Sequence, residues 1–314
     1  MIEVIVARKQ IEAEGICSFE LCREDGRPLP AFSAGSHIDV YVGQGLIRQY
    51  SLCNSVEERH RYQIAVLREP NSRGGSQQLH DVFKEGDRLK IGEPRNLFAL
   101  DTTAQRSLLF AGGIGITPIL CMAERLYNAG EPFELFYSVR SRDRAAFYER
   151  LQKSPFAEHV HLYCDDEQPL DAQAVLANPD DSTHLYVCGP GGYMAYVLDS
   201  ARTQGWVEER LHREYFTASP EVDAPGDAFE IQIASSGEVM RVEADQTIID
   251  VLYDAGIEVP VSCEQGVCGT CVTRILEGLP EHRDSFLTEA QRAANDQFTP
   301  CCSRAISHRL ILDL

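Results

Sequence analysis

The sequence has no long apolar segment and no amino-terminal signal pattern. Its most apolar stretch, SLLFAGGIGITPIL, is interrupted by three glycines and a proline, so it does not match a membrane span of about 18 apolar residues. The first residues, MIEVIVARKQIEAEG, alternate apolar and polar side chains as a strand does, without the basic start and apolar block of a signal peptide. We therefore expect a cytoplasmic protein that does not enter a membrane.

Basic side chains are few. The chain has 29 Lys and Arg against 48 Asp and Glu, a net charge of −19, which argues against nucleic acid as a partner. The excess is uneven: residues 1–100 are nearly neutral, while residues 228–314 carry 14 acidic and 6 basic side chains. A small acidic module of this kind suits docking on a basic protein surface, although solvation alone also accounts for many acidic faces.

A disulfide framework is not indicated. The chain has eleven cysteines, an odd number, and thiols are kept reduced in the cytoplasm. Scattered cysteines are then expected in the core, whereas clustered ones indicate metal binding or catalysis.

The pattern of predicted strands and helices changes twice along the chain, which predicts three domains. Residues 1–101 contain short alternating strands such as HIDVYV and YQIAVL with one helix at SQQLHDVF, as in an antiparallel β-barrel. Residues 102–222 alternate apolar strands with amphipathic helices, which predicts an α/β domain with a parallel sheet and ligands at the carboxyl ends of its strands. After a linker at TASPEVDAPGD, residues 228–314 form a compact, strand-rich α+β module with one helix.

The cysteine cluster is the most specific motif. Cys263, Cys268 and Cys271 follow the C-x4-C-x2-C spacing of plant-type [2Fe–2S] ferredoxins, and the adjacent Cys301 and Cys302 offer the fourth ligand. Zinc is less well suited, because two adjacent cysteines do not easily reach one tetrahedral ion. Gly266 and Gly269 allow the backbone to turn its N–H groups toward the sulfurs, and Arg274 and Arg304 are candidates to assist, although surface solvation explains both.

A cluster that moves one electron needs a donor, and RQYSLCN supplies a candidate site. Arg48, Tyr50 and Ser51 are expected on one face of a strand, where they meet a phosphate, a ring face and a ring nitrogen. The loop NSRGGSQQLH then places paired glycines before a helix start, which favours phosphate binding. Judged by spacing alone, the R-x-Y-S pattern is more commonly explained by an exposed strand than by a binding site.

Two glycine loops follow predicted strands of the second domain. GGIGITP departs from the usual dinucleotide fingerprint, and CGPGG places a cysteine at a strand end, where a buried core residue is the usual explanation. SVRSRDRAAF ends another strand, and its Arg140, Ser141 and Arg142 suit either a 2′-phosphate or an adenosine. The choice between NADH and NADPH is left open by the residues themselves.

Together these motifs resemble the phthalate dioxygenase reductase and vanillate demethylase reductase family, in the order flavin barrel, nucleotide domain, ferredoxin. The resemblance rests on R-x-Y-S-L with its G-G-S loop, GGIGITP, CGPGG, HREYF, the cysteine cluster and CCSR. It implies that Cys301 is the fourth ligand and that Cys302 is only a neighbour. It also implies FMN rather than the FAD of related reductases, and NADH rather than NADPH.

The resemblance further implies roles for individual residues. The flavin contacts are Arg48, Tyr50, Ser51, Leu52, Gly74, Gly75 and Ser76; the nucleotide contacts are Gly112, Gly113, Thr117, Pro118, Arg140, Ser141, Cys188, Gly189 and Pro190. Ser51, Cys188 and Phe216 are expected at the reacting rings, with Phe216 covering the flavin and moving when nicotinamide enters.

The expected function is the reductase component of a two-component Rieske oxygenase, which passes electrons from NADH through FMN and the cluster to the terminal oxygenase. Two alternatives remain at this point. The same electron path would also serve a cytochrome P450 or a soluble ferredoxin. A non-enzymatic redox sensor is less favoured, because it would not need a complete flavin and nucleotide apparatus.

Overall fold

The computed structural model describes residues 1–43, 46–70, 74–216 and 226–314, and these divide into two compact units, Met1–Glu214 and Tyr215–Leu314. The first unit contains the predicted barrel and the predicted nucleotide domain as far as Glu214. The three-domain boundaries therefore stay a prediction, and most of the predicted linker, residues 217–225, lies outside the described residues.

The first sheet is antiparallel. Its strands are β1 (Ile2–Ala13), β2 (Ile16–Cys22), β3 (Ser36–Tyr41), β4 (Ile47–Ser51), β5 (Tyr62–Leu67), β6 (Arg88–Ile91) and β7 (Arg95–Asn96), in the order β4-β3-β6-β1-β2-β5, with β7 paired to β3. Alternate residues such as Ile2, Val4 and Val6 point into the core, where they pack against β2 and β5. Helix α1 (Gly75–Asp81) confirms the helix predicted in this region.

The second sheet is parallel. Its elements in chain order are β8 (Arg106–Gly112), α2 (Ile116–Ala129), β9 (Phe133–Val139), α3 (Tyr148–Gln152), β10 (Val160–Cys164), α4 (Ala172–Val175), β11 (Thr183–Cys188), α5 (Gly191–Thr203) and β12 (Leu211–Glu214). The strand order β10-β9-β8-β11-β12 changes direction between β8 and β11. Ligands of such sheets bind at the carboxyl ends of the strands at this change of direction.

The second unit is a mixed sheet with two helices. It comprises β13 (Phe229–Ile233), β14 (Val239–Val242), α6 (Ile248–Asp254), β15 (Thr273–Glu277), β16 (Pro280–Glu281), α7 (Glu289–Ala294), β17 (Gln297–Phe298), β18 (Arg304–Ala305) and β19 (Arg309–Leu312), with sheet order β14-β13-β19-β15-β17 and a separate β16-β18 pair. Strands β13 and β19 are parallel, and α6 packs Ile248 and Leu252 into their core.

The expectation of one helix in this unit is wrong. Helix α7 begins with a capping box, in which the Thr288 hydroxyl accepts from the Gln291 N–H and the Gln291 side chain accepts from the Thr288 N–H. The T-x-x-Q spacing was present in the sequence. The helix has only six residues, none of them buried, so it lacks the apolar stripe by which helices are recognised.

Candidate redox and cofactor sites

The two glycine loops of the parallel sheet are in direct backbone contact. A Cβ added to Gly115 would lie 2.2 Å from the carbonyl oxygen of Cys188, so only glycine allows the loop after β8 to approach the loop after β11 this closely. Both loops lie at carboxyl strand ends, at the change of strand direction. The structure thus brings the GGIGITP and CGPGG segments together at the place where an open α/β sheet binds its ligand.

The predicted nucleotide contacts divide into two groups around this point. Gly112, Gly113, Thr117, Pro118, Cys188, Gly189 and Pro190 belong to the two touching loops and the helix starts behind them. Arg140 and Ser141 follow β9, the neighbour of β8, and therefore lie on the same edge of the sheet. Arg140 is exposed, while the Ser141 hydroxyl donates a 2.5 Å hydrogen bond to Asp143.

Tyr193 is a further residue of this loop pair, and sequence reasoning missed it. A Cβ on Gly112 would lie 2.7 Å from the Tyr193 ring, and the Ser138 hydroxyl approaches the Tyr193 hydroxyl at 3.5 Å. The ring therefore fills the space beside Gly112 and helps to shape the loop. Its position directly after CGPGG was visible in the sequence, but its packing depends on β8 and β9.

The strand predicted to bind a flavin is β4. Arg48 and Tyr50 alternate along it and share a face, but Ser51 directly follows Tyr50, so the expectation that all three face one side is wrong. The Arg48 side chain lies against the start of α1. A Cβ added to Gly75 would be only 2.6 Å from the Cγ of Arg48. Arg48, Gly74, Gly75 and Ser76 are thus neighbours, which fits a cradle for a phosphate, and Leu52 is fully buried behind the strand.

Ser51 instead contacts Glu214, the last residue of β12. The Ser51 hydroxyl donates a 3.1 Å hydrogen bond to the Glu214 carboxylate, and His37 Nδ1 lies 4.0 Å from its other oxygen. Cys188 is paired with Glu214 in the β11–β12 register. Glu214 therefore lies next to two predicted residues from distant motifs: Ser51, which contacts its carboxyl group, and Cys188, its partner on the neighbouring strand.

The environment of Glu214 changes its protonation. Burial raises the pKa of Glu214 to about 8, although the Ser51 hydrogen bond opposes the shift. Burial, and secondarily the Glu214 charge, raises the pKa of the Cys188 thiol. Near neutral pH both groups hold their protons, so a carboxylic acid, a thiol and a hydroxyl lie together here without charge.

Glu214 and His37 were not predicted as site residues. Glu214 lies within HREYF, where the resemblance implies a role only for Phe216, and its contact with Ser51 depends on the meeting of two sheets. Phe216 follows β12 by two residues, is half-buried and falls in the second unit. Its predicted role in covering a flavin stays a prediction.

The four predicted cluster ligands are all buried and lie close together. The Cys263 thiol interacts with those of Cys268 and Cys301, and the Cys301 thiol also interacts with that of Cys271. Within the described parts of the chain, no three of these sulfurs lie within 4.8 Å of one another. Four sulfurs of which no three converge on one point suit two irons with two ligands each better than a single zinc ion.

The loop around the sulfurs supplies backbone N–H donors, as predicted. The N–H of Gln265 points at Cys263 Sγ at 3.3 Å, and the N–H of Thr270 points at Cys268 Sγ at 3.4 Å. Donors from Cys268 and Cys301 lower the pKa of Cys263 and favour its thiolate form. Gly269 has φ +66°, and a Cβ there would lie 2.2 Å from the Phe286 ring, so the tight turn requires glycine.

Cys302 faces the protein interior beside the four sulfurs. Its Sγ lies 3.2 Å from the Thr299 hydroxyl, and a Cβ on Gly266 would come within 2.4 Å of it. Cys301 contacts two of the other predicted ligands, whereas Cys302 contacts Cys301 among the cysteines. This geometry supports Cys301 as the fourth ligand.

Arg304 differs from its expected solvated role. The guanidinium is buried and donates to the backbone carbonyls of Gln246, Asp227 and Glu243 at 2.9 to 3.0 Å. It therefore joins three segments of the second unit and is neither a surface charge nor a donor to the sulfurs. Arg274 is exposed beside Asp313, as solvation predicts.

Comparison with known proteins gives the same assignment. Residues 231–305 match the family model of the 2Fe-2S iron-sulfur cluster binding domain. The chain is 57% identical to the vanillate O-demethylase oxidoreductase of Pseudomonas putida, with 100% of each chain covered. The solved structure of a phthalate dioxygenase reductase matches with TM-score 0.78 and 38% identity over 100% of this chain and 98% of that one.

An intact type IV self-sufficient cytochrome P450 monooxygenase also matches, with TM-score 0.85 and 38% identity over 99% of this chain but only 41% of that one. The fold and the cysteine site thus define an electron-transfer oxidoreductase with a [2Fe–2S] domain, and several of its relatives are reductase subunits of oxygenases. The chain belongs to the vanillate O-demethylase and phthalate dioxygenase reductase family. Within the described residues, no helix is both long and apolar enough to cross a membrane.

Proposed function

We propose that this chain is the reductase component of a two-component Rieske-type O-demethylase, taking electrons from NADH through FMN and the [2Fe–2S] cluster. We also propose vanillate as the substrate of its oxygenase partner, since the full-length relative at 57% identity bears that name. The observation that carries the proposal is the meeting of Ser51 and Cys188 at Glu214, which joins the predicted flavin strand to the predicted nucleotide loops.

When bound, the nicotinamide, flavin and cluster supply the hydride and one-electron chemistry. The chain contributes position and electrostatics. Arg48 and the start of α1 are proposed to hold the flavin phosphate, and Tyr50 and Leu52 to support the flavin ring. The two glycine loops leave room for a dinucleotide, with Arg140 and Ser141 beside its adenosine.

Two groups hold protons at this site, the Ser51 hydroxyl and the Glu214 carboxyl. Ser51 Oγ donates to Glu214, and the raised pKa of Glu214 keeps a proton on that carboxyl at neutral pH. A neutral pocket avoids repelling the electron-rich form of a bound ring. Phe216 is proposed to cover that ring and to move aside for nicotinamide.

Docking of the oxygenase is proposed at the cysteine loop. Glu258 and Glu264 are exposed on either side of the buried Cys263, in a unit with a strong acidic excess. An acidic surface here would steer a basic partner face toward the cluster. The double variant Glu258→Gln/Glu264→Gln should raise the KM for the oxygenase and flatten its salt dependence, while Glu238→Gln, in the turn between β13 and β14, should change neither.

The function is tested with the purified holoprotein under anaerobic conditions. Visible spectra are recorded before and after NADH and, separately, NADPH, and the released flavin is identified by mass. We expect FMN, and bleaching of both flavin and cluster bands by NADH. Bleaching of the flavin alone would contradict the electron path, and release of FAD would contradict the flavin assignment.

A second experiment tests the partner. The reductase is mixed with the oxygenase component of a vanillate O-demethylase, and NADH-dependent loss of vanillate is measured. A cytochrome P450 system and a soluble ferredoxin serve as alternative acceptors, and these are expected to be slower because the full-length relative at 57% identity is a vanillate O-demethylase oxidoreductase. Steady turnover with an artificial acceptor would also exclude a redox sensor.

A further inference from the structure

Asp101, His184 and His212 form a cluster in the first unit that the proposed electron path does not use. His184 lies near the start of β11, His212 is the second residue of the neighbouring β12, and Asp101 lies in the connection between β7 and β8. One ligand atom from each lies within 4.8 Å of the other two. The cluster thus brings two imidazoles and a carboxylate from three segments of the chain to one point.

The distances fit a small divalent ion. His184 Nδ1 is 2.9 Å from His212 Nε2 and 4.0 Å from Asp101 Oδ2. Around a tetrahedral zinc ion with bonds of about 2.0 to 2.1 Å, neighbouring ligand atoms are roughly 3.3 Å apart. The two observed distances fall on either side of this value, so the imidazoles would move apart and the carboxylate inward around an ion.

The carboxylate is already held in place. Asp101 Oδ1 accepts hydrogen bonds from the Thr103 N–H at 2.7 Å and the Thr103 hydroxyl at 2.6 Å, which leaves Oδ2 toward His184. The Asp101 N–H donates to the Tyr186 hydroxyl at 2.8 Å, and the His212 ring stacks on Tyr186. Supporting hydrogen bonds of this kind orient the ligands of protein metal sites.

The burial of the cluster also suits a bound metal ion. His184 is largely buried, whereas the Asp101 side chain is about one-third exposed. Water can therefore reach the cluster from the Asp101 side and fill a fourth position.

We propose that Asp101, His184 and His212 bind a divalent transition-metal ion, with Zn²⁺ the best match to two imidazoles and one carboxylate. The ion would replace the hydrogen bond between the two imidazoles and tie the connection before β8 to β11 and β12. His212 and Glu214 are two residues apart on β12 and share a face, so the ion would also brace the strand that carries Glu214.

The test uses the holoprotein, treated with EDTA, exchanged into chelator-free buffer and titrated with ZnCl₂ by calorimetry. We expect one equivalent of Zn²⁺ to bind and His212→Gln, His184→Gln and Asp101→Asn each to weaken that binding about tenfold or more. His161→Gln is the matched control, because His161 pairs with Glu134 on the opposite edge of the sheet.

A second cluster, Cys164, Asp166 and Glu167, is a possible competitor for zinc, so Cys164→Ser is tested in parallel. The proposal is overturned if the wild-type protein takes up no Zn²⁺, or if Cys164→Ser abolishes uptake while Asp101→Asn leaves it unchanged. Asparagine can still accept the Thr103 hydrogen bonds, so Asp101→Asn decides the outcome even if a histidine variant fails to fold.

Discussion

The Ser51 hydroxyl and the Glu214 carboxylate are joined by a 3.1 Å hydrogen bond between the last residues of two strands from different sheets. This bond links the antiparallel sheet to the edge strand of the parallel sheet. It also places a largely buried carboxyl group beside Cys188, at the end of the crevice where a dinucleotide is expected. The protonation of Glu214 therefore affects both the stability of the first unit and the proposed reaction site.

Glu214 should make the protein less stable as the pH rises. Its pKa is raised from 4.5 to about 8, so between these values the unfolded chain releases the proton while the folded chain keeps it. Stability from this group is complete below pH 4.5 and is lost toward pH 8, at about 1.4 kcal/mol per pH unit at most. Between pH 6 and pH 8 the melting temperature of Glu214→Gln should therefore fall less than that of the wild type, as measured by circular dichroism.

Glu131→Gln, an exposed change of the same kind, serves as the control and should keep the wild-type pH profile. A Glu214→Gln profile parallel to wild type would show that Glu214 does not titrate in this range.

Cys301 and Cys302 should differ sharply despite being adjacent. Cys301 contacts Cys263 and Cys271, whereas Cys302 contacts Thr299. Cys301→Ser should remove the visible absorption of the cluster and leave NADH reduction of the flavin intact; Cys302→Ser should affect neither. Iron and sulfide analysis provides the measurement, and a full cluster in Cys301→Ser would contradict the ligand assignment.

Gly269→Ala should reduce cluster content because its φ of +66° is unfavourable for alanine and its Cβ would meet the Phe286 ring. Gly256 has a similar φ of +75° but open space around it. Gly256→Ala should lower the stability of the protein only by the backbone strain, about 1 kcal/mol. The variant should keep its full iron content. Equal iron content in the two variants would show that the contact with Phe286 has no role in cluster binding.

Lys9 should stabilise the helix that begins the proposed phosphate cradle. Its ammonium group donates to the carbonyls of Leu79 and Phe83 at the end of α1, at 3.1 and 2.8 Å. Lys9→Met should destabilise the first unit by about 1 to 3 kcal/mol and weaken flavin retention, measured by thermal denaturation and flavin release. Lys84→Met removes an exposed lysine nearby and should have little effect; the same loss in both variants would rule out this role for Lys9.

The features that depend on nearby residues were readable from the sequence. Cys263, Cys268 and Cys271 lie within nine residues, so their spacing alone limits the geometry that a metal centre can have. The alternation of strands and helices likewise reports on local burial, and it predicted both the antiparallel and the parallel sheet. Even the missed helix α7 had a local signal in its capping box, although it is too short and too exposed to show a periodic apolar face.

Other features exist only because distant segments meet. Ser51 on β4 contacts Glu214 on β12, and His184 on β11 contacts His212 on the neighbouring β12, although no local pattern encodes either meeting. Arg304 looks like a surface charge in sequence, yet three backbone carbonyls from distant positions surround it. The sequence by itself determined the elements and the thiol spacing, because these follow from backbone geometry over a few residues; only the tertiary structure decided which polar side chains are buried together, because that depends on the order and register of the strands.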